Sequence, residues 1–171
     1  MDQIIPTLYK QWSVSLDIKP IGLIGSYTNI FHIGLGPNHG AYGDRIAAMW
    51  FVGGTTQLHI TSAVSGQISR QPAAGNTDPI PMNEWTRVGI SQLRQTDGSY
   101  QYTITIDDKI YDQIVNTDPR EFKNIKVYTS DNYYLAANAL IRNFKINTFP
   151  DNYVYNCKFF QYSRLNVQTF V

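Results

Sequence analysis

The amino-acid sequence predicts an all-β protein that folds as a two-sheet antiparallel β-sandwich with almost no helix. Between Asn83 and Asn143, apolar and polar residues alternate in short runs that are rich in β-branched and aromatic residues. The runs are bounded by Gly, Asn or Asp, residue types that form turns between strands. A chain of 171 residues is long enough to bury a sizeable core, so we expect one sandwich domain.

The first half of the chain contains five predicted strands. The first is an edge strand, because Pro6 has no backbone N–H to donate to a neighbour. In the second, every other residue from Trp12 to Ile18 faces the core. Gly53-Gly54 forms a tight hairpin turn between the fourth and the fifth. These strands cover residues 4–9, 12–19, 29–34, 44–51 and 56–64.

The second half repeats the pattern after an exposed loop over residues 71–81, which holds three prolines. Helix is confined to two short turns. One covers residues 118–122, where Asp118 can cap and Pro119 suits a first helical position, and the other covers 133–138. The predicted strands cover residues 83–90, 100–108, 111–116, 125–128 and 140–144.

We predict a β-sandwich domain over residues 1–149 and a C-terminal segment over residues 150–171. This segment is aromatic from Tyr153 to Tyr162 and is interpreted as one or two further strands. It either packs on the same domain or associates with a partner, because an unpaired aromatic strand attracts one. Cys157 is the only cysteine; it is either a free thiol or forms a disulfide with another chain or with a neighbouring domain.

Composition excludes several function classes. The net charge of +1 comes from 14 basic and 13 acidic residues without a basic cluster, so nucleic acid and anionic membranes are not expected partners. No apolar run approaches the roughly 20 residues of a membrane-spanning helix. The low charged fraction of 16% and the twelve Tyr residues favour neutral, aromatic recognition outside the cell.

The N-terminus has no signal-peptide pattern. We therefore expect a cytosolic chain, a mature secreted form, or a domain excised from a longer secreted protein. The composition favours an extracellular or secreted location.

Five short motifs follow one another in a set order. They lie at residues 12–20, 29–33, 43–51 (followed by 58–60), 84–88 and 141–144. Together they resemble the laminin G-like domains of the concanavalin A-like lectin and glucanase superfamily, over residues 3–147. The resemblance implies a jelly-roll sandwich that acts in recognition or adhesion through loops at its rim.

The same resemblance argues against an enzyme. Hydrolases of this superfamily carry Glu-x-Asp-x-x-Glu on one strand, whereas the two glutamates here, Glu84 and Glu121, stand far apart. Asp107-Asp108 is expected to form a turn rather than a catalytic pair. Cys157 lacks the strand-turn-helix setting of a catalytic nucleophile.

The three histidines receive different interpretations. His32 and His59 occupy strand patterns, so we expect structural roles for both. His39 lies in a Gly- and Asn-rich loop, where it can touch a ligand.

Calcium is the one cofactor that the resemblance implies, bound at the rim by carboxylate and carbonyl oxygens. The candidate ligands are Asp44 together with Asp131 or Asn132. Alternatively, Arg45 pairs with a carboxylate and Asp44 has only a structural role.

Two loops combine aromatic faces with hydrogen-bonding groups, as carbohydrate recognition requires. Alternatively, these residues only close turns. The candidate ligand-binding residues are Asn38, His39 and Tyr42 in one loop, and Asp131, Asn132, Tyr133, Tyr134 and Asn138 in the other.

These observations predict a non-catalytic module that binds a protein or glycan of the matrix or cell surface. A protein partner is slightly favoured, because the aromatic residues of the loops are Tyr and none is Trp. A carbohydrate-binding lectin is one alternative. The other is a structural subunit that forms homo-oligomers or polymers through residues 150–171 and Cys157.

Overall fold

The computed structural model describes residues 3–151, which form two antiparallel β-sheets packed face to face. These residues contain no helix, and hence none long and apolar enough to cross a membrane. The strands are β1 (Gln3–Leu8), β2 (Gln11–Pro20), β3 (Thr28–Gly34), β4 (Ala47–Phe51), β5 (Leu58–Val64), β6 (Gln67–Arg70), β7 (Thr86–Arg94), β8 (Tyr100–Ile106), β9 (Lys109–Val115), β10 (Phe122–Tyr128), β11 (Leu135–Ala136) and β12 (Ala139–Phe149).

One sheet has seven strands and the other has five. The seven-stranded sheet runs β1-β10-β3-β4-β5-β6, and the short β11 pairs with β3 in parallel. The five-stranded sheet runs β12-β2-β7-β8-β9. The chain crosses repeatedly between sheets, so that β12 returns to pair with β2 near the start. The predicted all-β jelly-roll sandwich is confirmed.

Alternating side chains of both sheets fill the space between them. Trp12, Val14, Leu16 and Ile18 of β2 are all buried in the core, as their spacing predicts. Apolar residues of β3, β4 and β5 meet them from the other sheet. Each fully buried aliphatic or aromatic side chain contributes about 1.5–3 kcal/mol relative to exposure. The core therefore fixes which side chains of the seven-stranded sheet must point outward.

The outer face of the seven-stranded sheet is aromatic where a solvated sheet is usually polar. His32 of β3 pairs with Tyr128 of β10, and Trp50 of β4 pairs with His59 of β5. Neither His32 nor Trp50 joins the core cluster, although both are about 1% exposed. Other parts of the chain must therefore cover this face, and they form the site described below.

Two local predictions meet different outcomes. Asp107 and Asp108 both have positive φ and connect β8 to β9 as a two-residue hairpin turn, which confirms their turn role. The strand predicted over residues 44–51 begins only at Ala47. Asp44 and Arg45 lie instead in a turn, because the Asp44 amide and carboxylate both bond to the backbone of Ala41.

Neither segment predicted to allow a helical turn, residues 118–122 or 133–138, is helical. The Asp118 backbone instead accepts a hydrogen bond from the Tyr42 side chain, and β11 interrupts the second segment by pairing with β3. Residues 152–171, with Cys157, lie outside the described residues, so the expectations for the C-terminal segment remain predictions.

Candidate functional site

Two of the loops chosen from the sequence meet over the outer face of the seven-stranded sheet. One connects β3 to β4 and the other connects β10 to β11. The Tyr133 hydroxyl of the second loop donates a 2.9 Å hydrogen bond to the carbonyl oxygen of Gly36 in the first. Both loops are predicted recognition elements, and the structure brings them together.

Buried His32 fixes both loops to the sheet. Its Nε2 lies 2.6 Å from the Asp44 carbonyl oxygen and its Nδ1 lies 3.0 Å from Asp131 Oδ2. His32 and Asp131 thereby form a buried histidine–carboxyl pair. The other Asp131 oxygen, Oδ1, accepts the amides of Tyr133 and Tyr134 at 3.0 Å each. His32 therefore has the structural role that its strand position predicts.

The two carboxylates proposed as calcium ligands are engaged within the chain. Both Asp131 oxygens hold the contacts just described, and Asp44 Oδ2 accepts the Ala41 amide at 2.8 Å. Asn132 is exposed at the surface. Across residues 3–151, no group of three or more His, Cys, Asp or Glu side chains is close enough to hold a metal ion. Calcium binding stays a prediction of the sequence resemblance.

Arg45 extends over Trp50 on this outer face. Its guanidinium carbon lies 4.6 Å from the centre of the Trp50 ring, a cation–π contact. Nε and one terminal nitrogen donate to the carbonyl and side-chain oxygens of Asn38, at 3.1 and 2.7 Å, and the other terminal nitrogen donates to Ser69 Oγ at 3.2 Å. The alternative in which Arg45 pairs with a carboxylate is wrong among the described residues.

A cleft of about 190 Å³ opens beside the guanidinium. Trp50 lies on the sheet side of this cleft, with Tyr134 5.6 Å and His59 5.8 Å from it between ring centres. Tyr27 packs edge-on against His59 at 5.5 Å and is 39% exposed. We call this the Arg45 cleft; its lining residues are Tyr27, Arg45, Trp50, His59 and Tyr134.

His59 is held as a neutral, oriented ring. Burial lowers its pKa below the ordinary value; the hydrogen bond between its Nδ1 and Asn76 Oδ1, 2.8 Å long, opposes this, and the Arg45 charge adds to the lowering. Because the Asn76 oxygen can only accept, Nδ1 carries the proton. In the neutral ring Nε2 is then an acceptor.

The other sequence-chosen residues lie apart from the cleft or at its edge. Tyr42 stacks on Phe122 at 6.2 Å and donates to the Asp118 carbonyl oxygen at 2.8 Å, while the Arg120 guanidinium lies 4.1 Å from its ring centre. Burial raises the pKa of Tyr42. Tyr42 therefore supports the β9–β10 connection, and its role in ligand binding stays a prediction.

Three further candidates lie at the surface. His39 and Asn138 are exposed, like Asn132. The Asn138 carbonyl oxygen accepts the Ile21 amide at 3.0 Å, which extends the pairing of β12 with β2 by one position. Asn38 contributes indirectly, because it orients Arg45.

The Arg45 cleft has no catalytic pair. Glycoside hydrolysis needs two carboxyl groups across the bond to be cut, and the described lining includes no Asp or Glu. Glu84 is exposed before β7, and Glu121 pairs with Lys123 at the surface. The cleft can therefore hold a ligand by stacking and hydrogen bonds, but it presents no acid–base couple.

Sequence reasoning found the covering loops but missed Tyr27, Arg45, Trp50 and His59. A usable signal was present for two of them. If Met49 and Leu58 face the core across the Gly53-Gly54 hairpin, then Trp50 and His59 must point outward on neighbouring strands. No comparable signal existed for Arg45, because its position depends on the turn at Asp44.

No protein-family model matches the sequence, and no curated protein matches it. Solved structures do match. A heptameric SAP-like pentraxin from Limulus polyphemus has a TM-score of 0.53 and 12% identity, covering 85% of this chain and 66% of that chain. A sialidase from Trypanosoma rangeli has a TM-score of 0.55 and 10% identity, covering 81% of this chain but 20% of that chain. Sheep galectin-11 has a TM-score of 0.45 and 10% identity, covering 85% and 95%.

At these identities the likeness concerns the fold. The strand order and the matched structures together establish a concanavalin A-like jelly-roll β-sandwich. This confirms the fold that the sequence motifs implied. The chain spans 66% of the pentraxin chain and one fifth of the sialidase chain, so the activity of neither whole protein transfers with the fold.

Proposed function

We propose that this protein is a non-catalytic recognition module that binds a glycan in the Arg45 cleft. The observation that carries the proposal is the composition of the cleft: three aromatic rings, one imidazole and one guanidinium, without a carboxylate. Aromatic faces stack against the C–H groups of a sugar, and a few fixed polar groups orient it. A jelly roll without paired acids is suited to binding and not to hydrolysis.

The cleft also changes the balance between a protein and a glycan partner. The preference for a protein depended on the lack of Trp in the recognition loops. Trp50 lies on β4 rather than in a loop, and its ring contacts both Arg45 and Tyr134 on the sheet side of the cleft. Tyr27, 39% exposed, and the half-buried Tyr134 offer the accessible ring faces.

The proposal includes an extracellular or secreted location, where glycans of the matrix and cell surface are found. The low charged fraction and the twelve Tyr residues support this location. Adhesion is the biological role that such a module would serve.

A glycan array probed with the full chain at high density tests the proposal. We expect binding to a defined group of glycans, and we expect Tyr27→Ala to weaken it. Tyr9→Ala, which removes a half-buried Tyr between β1 and β2, is the matched control. A parallel array with EDTA tests calcium. If the wild-type chain binds nothing in either arm, glycan recognition is wrong.

A further inference from the structure

We infer that the ligand of the Arg45 cleft carries a carboxylate and that Arg45 binds it, an inference that rests on the proposed function. The expected ligand class is an acidic sugar, such as a uronic acid or a sialic acid at the end of a glycan. Four observations on Arg45 and its surroundings support the inference.

The first observation is that no residue of the described chain neutralises the charge of Arg45. Arg45 is 7% exposed, yet no Asp or Glu oxygen of the described chain lies within 4.0 Å of its nitrogens. Its hydrogen-bond partners, Asn38 and Ser69, are neutral. Burying a charge is costly unless a counter-charge accompanies it, so the fold retains an unfavourable feature that an anionic ligand would relieve.

The second observation is the number of unused donors. A guanidinium has five N–H groups, and three hydrogen bonds to Asn38 and Ser69 use one on Nε and one on each terminal nitrogen. Among residues 3–151, one N–H therefore remains without a partner on each terminal nitrogen. Two N–H groups on one planar guanidinium match the two oxygens of a carboxylate.

The third observation is that the guanidinium is held in place before any ligand arrives. The Trp50 ring supports one face, and Asn38 holds one edge through two bonds. A donor fixed in this way loses little conformational entropy on binding. The same contacts would be an unusual arrangement for a surface Arg that only aids solubility.

The fourth observation concerns the groups around the cleft. Trp50 Nε1 is a second buried donor without a partner in the described chain. His59 is the other titratable base of the lining, and the phenols of Tyr27 and Tyr134 complete it. With no carboxylate among these residues, an acidic ligand meets the Arg45 donors and no like charge. A volume of about 190 Å³ is below the roughly 300–1,000 Å³ of most small-molecule pockets, so the cleft suits one terminal sugar residue.

Matched ligand pairs test the inference by titration calorimetry with the full chain. Methyl β-glucuronide is compared with methyl β-glucoside, and sialyllactose with lactose; each pair differs by an acidic group or residue. Glucose 6-sulfate provides an anion without a carboxylate. We expect at least one acidic member to bind roughly 10- to 100-fold more tightly than its neutral partner, the range for hydrogen bonds to charged groups.

Three variants locate the effect. Arg45→Gln removes the charge and should abolish the preference for the acidic member. Arg45→Lys keeps a charge but not the planar pair of donors, so it should retain only part of the preference. Arg94→Gln removes an exposed Arg at the end of β7 and should change nothing. A thermal melt of each variant checks folding, and the wild-type preference stands as a test without any variant.

Each of the other possible outcomes contradicts one part of the inference or of the proposed function. Equal binding of acidic and neutral members overturns the inference and leaves glycan recognition intact. An acidic preference that survives in folded Arg45→Gln overturns the assignment to Arg45. If glucose 6-sulfate binds more tightly than both acidic sugars, the claim that the cleft recognises a carboxylate is wrong. Failure of every glycan, on the array as well, overturns the proposed function and the inference with it.

Discussion

The imidazole of His32 and the carboxyl group of Asp131 form a buried hydrogen-bonded pair, 3.0 Å between Nδ1 and Oδ2, in which both side chains are almost inaccessible. The two residues are 99 positions apart in the chain. Their contact joins β3 to the loop that carries Tyr133 and Tyr134, and the His32 ring also holds the Asp44 carbonyl oxygen. The site therefore depends on a polar network beneath it rather than on its loops alone.

Asp131→Asn should destabilise the protein strongly. The substitution removes one partner of a buried polar pair and disturbs the carboxyl oxygens that hold His32 and the Tyr133 and Tyr134 amides, and breaking a buried pair costs about 3–5 kcal/mol. Urea unfolding followed by Trp fluorescence measures the change. Asp97→Asn, at an exposed turn where the described partner of Asp97 is Ser99, is the control and should leave the unfolding midpoint almost unchanged. Similar midpoints for the two variants would contradict a structural role of the His32–Asp131 pair.

The stability of the protein should fall as pH drops through the His59 titration. Burial lowers the His59 pKa in the folded state, so between that value and the ordinary value of about 6.5 the unfolded chain binds more protons. The free energy of unfolding therefore rises with pH in this window, and the His59 contribution is fully present above about pH 6.5. Urea midpoints at pH 5.5 and 7.5 measure the slope, and His59→Gln should reduce it. An unchanged slope in that variant would assign the pH dependence to other groups.

The fold was predictable because its signals are local. The alternation from Trp12 to Ile18 requires only that one face of β2 be buried, and the structure buries all four apolar residues. The turn at Asp107-Asp108 is likewise specified by residues that tolerate positive φ. Such features do not depend on which strands become neighbours.

The centre of the site was not predictable because its contacts are set by tertiary structure. Arg45 belongs to an apolar run that favours a strand, but the turn closed by Asp44 ends the strand pattern and directs Arg45 over Trp50. Ser69, which accepts from Arg45, is 24 residues away on β6, a strand that the sequence analysis did not identify. Strand pairing had to be known before these residues could be placed together.

Asp108→Gly should stabilise the β8–β9 hairpin. Asp108 has φ +61° and a side chain that is 85% exposed, so the substitution relieves a left-handed backbone and loses only a 3.5 Å surface contact with Arg87. We expect a gain of about 0.5–1 kcal/mol, since Asp-Gly suits this type of turn. Asp107→Gly is the contrasting control, because Asp107 Oδ1 accepts the Arg87 amide at 2.9 Å. A Tm that rises for Asp107→Gly but not for Asp108→Gly would reverse this interpretation.

Tyr27→Ala should weaken ligand binding without a large loss of stability. Tyr27 is 39% exposed and packs edge-on against His59 in the wall of the cleft. Its removal therefore opens one wall, while the core stays intact. Loss of one aromatic stacking partner corresponds to about 0.5–1.5 kcal/mol, or roughly a 2- to 12-fold higher Kd. Titration of the tightest array ligand against wild type, Tyr27→Ala and Tyr9→Ala measures this effect. Equal Kd values for all three proteins would place the ligand outside the Arg45 cleft.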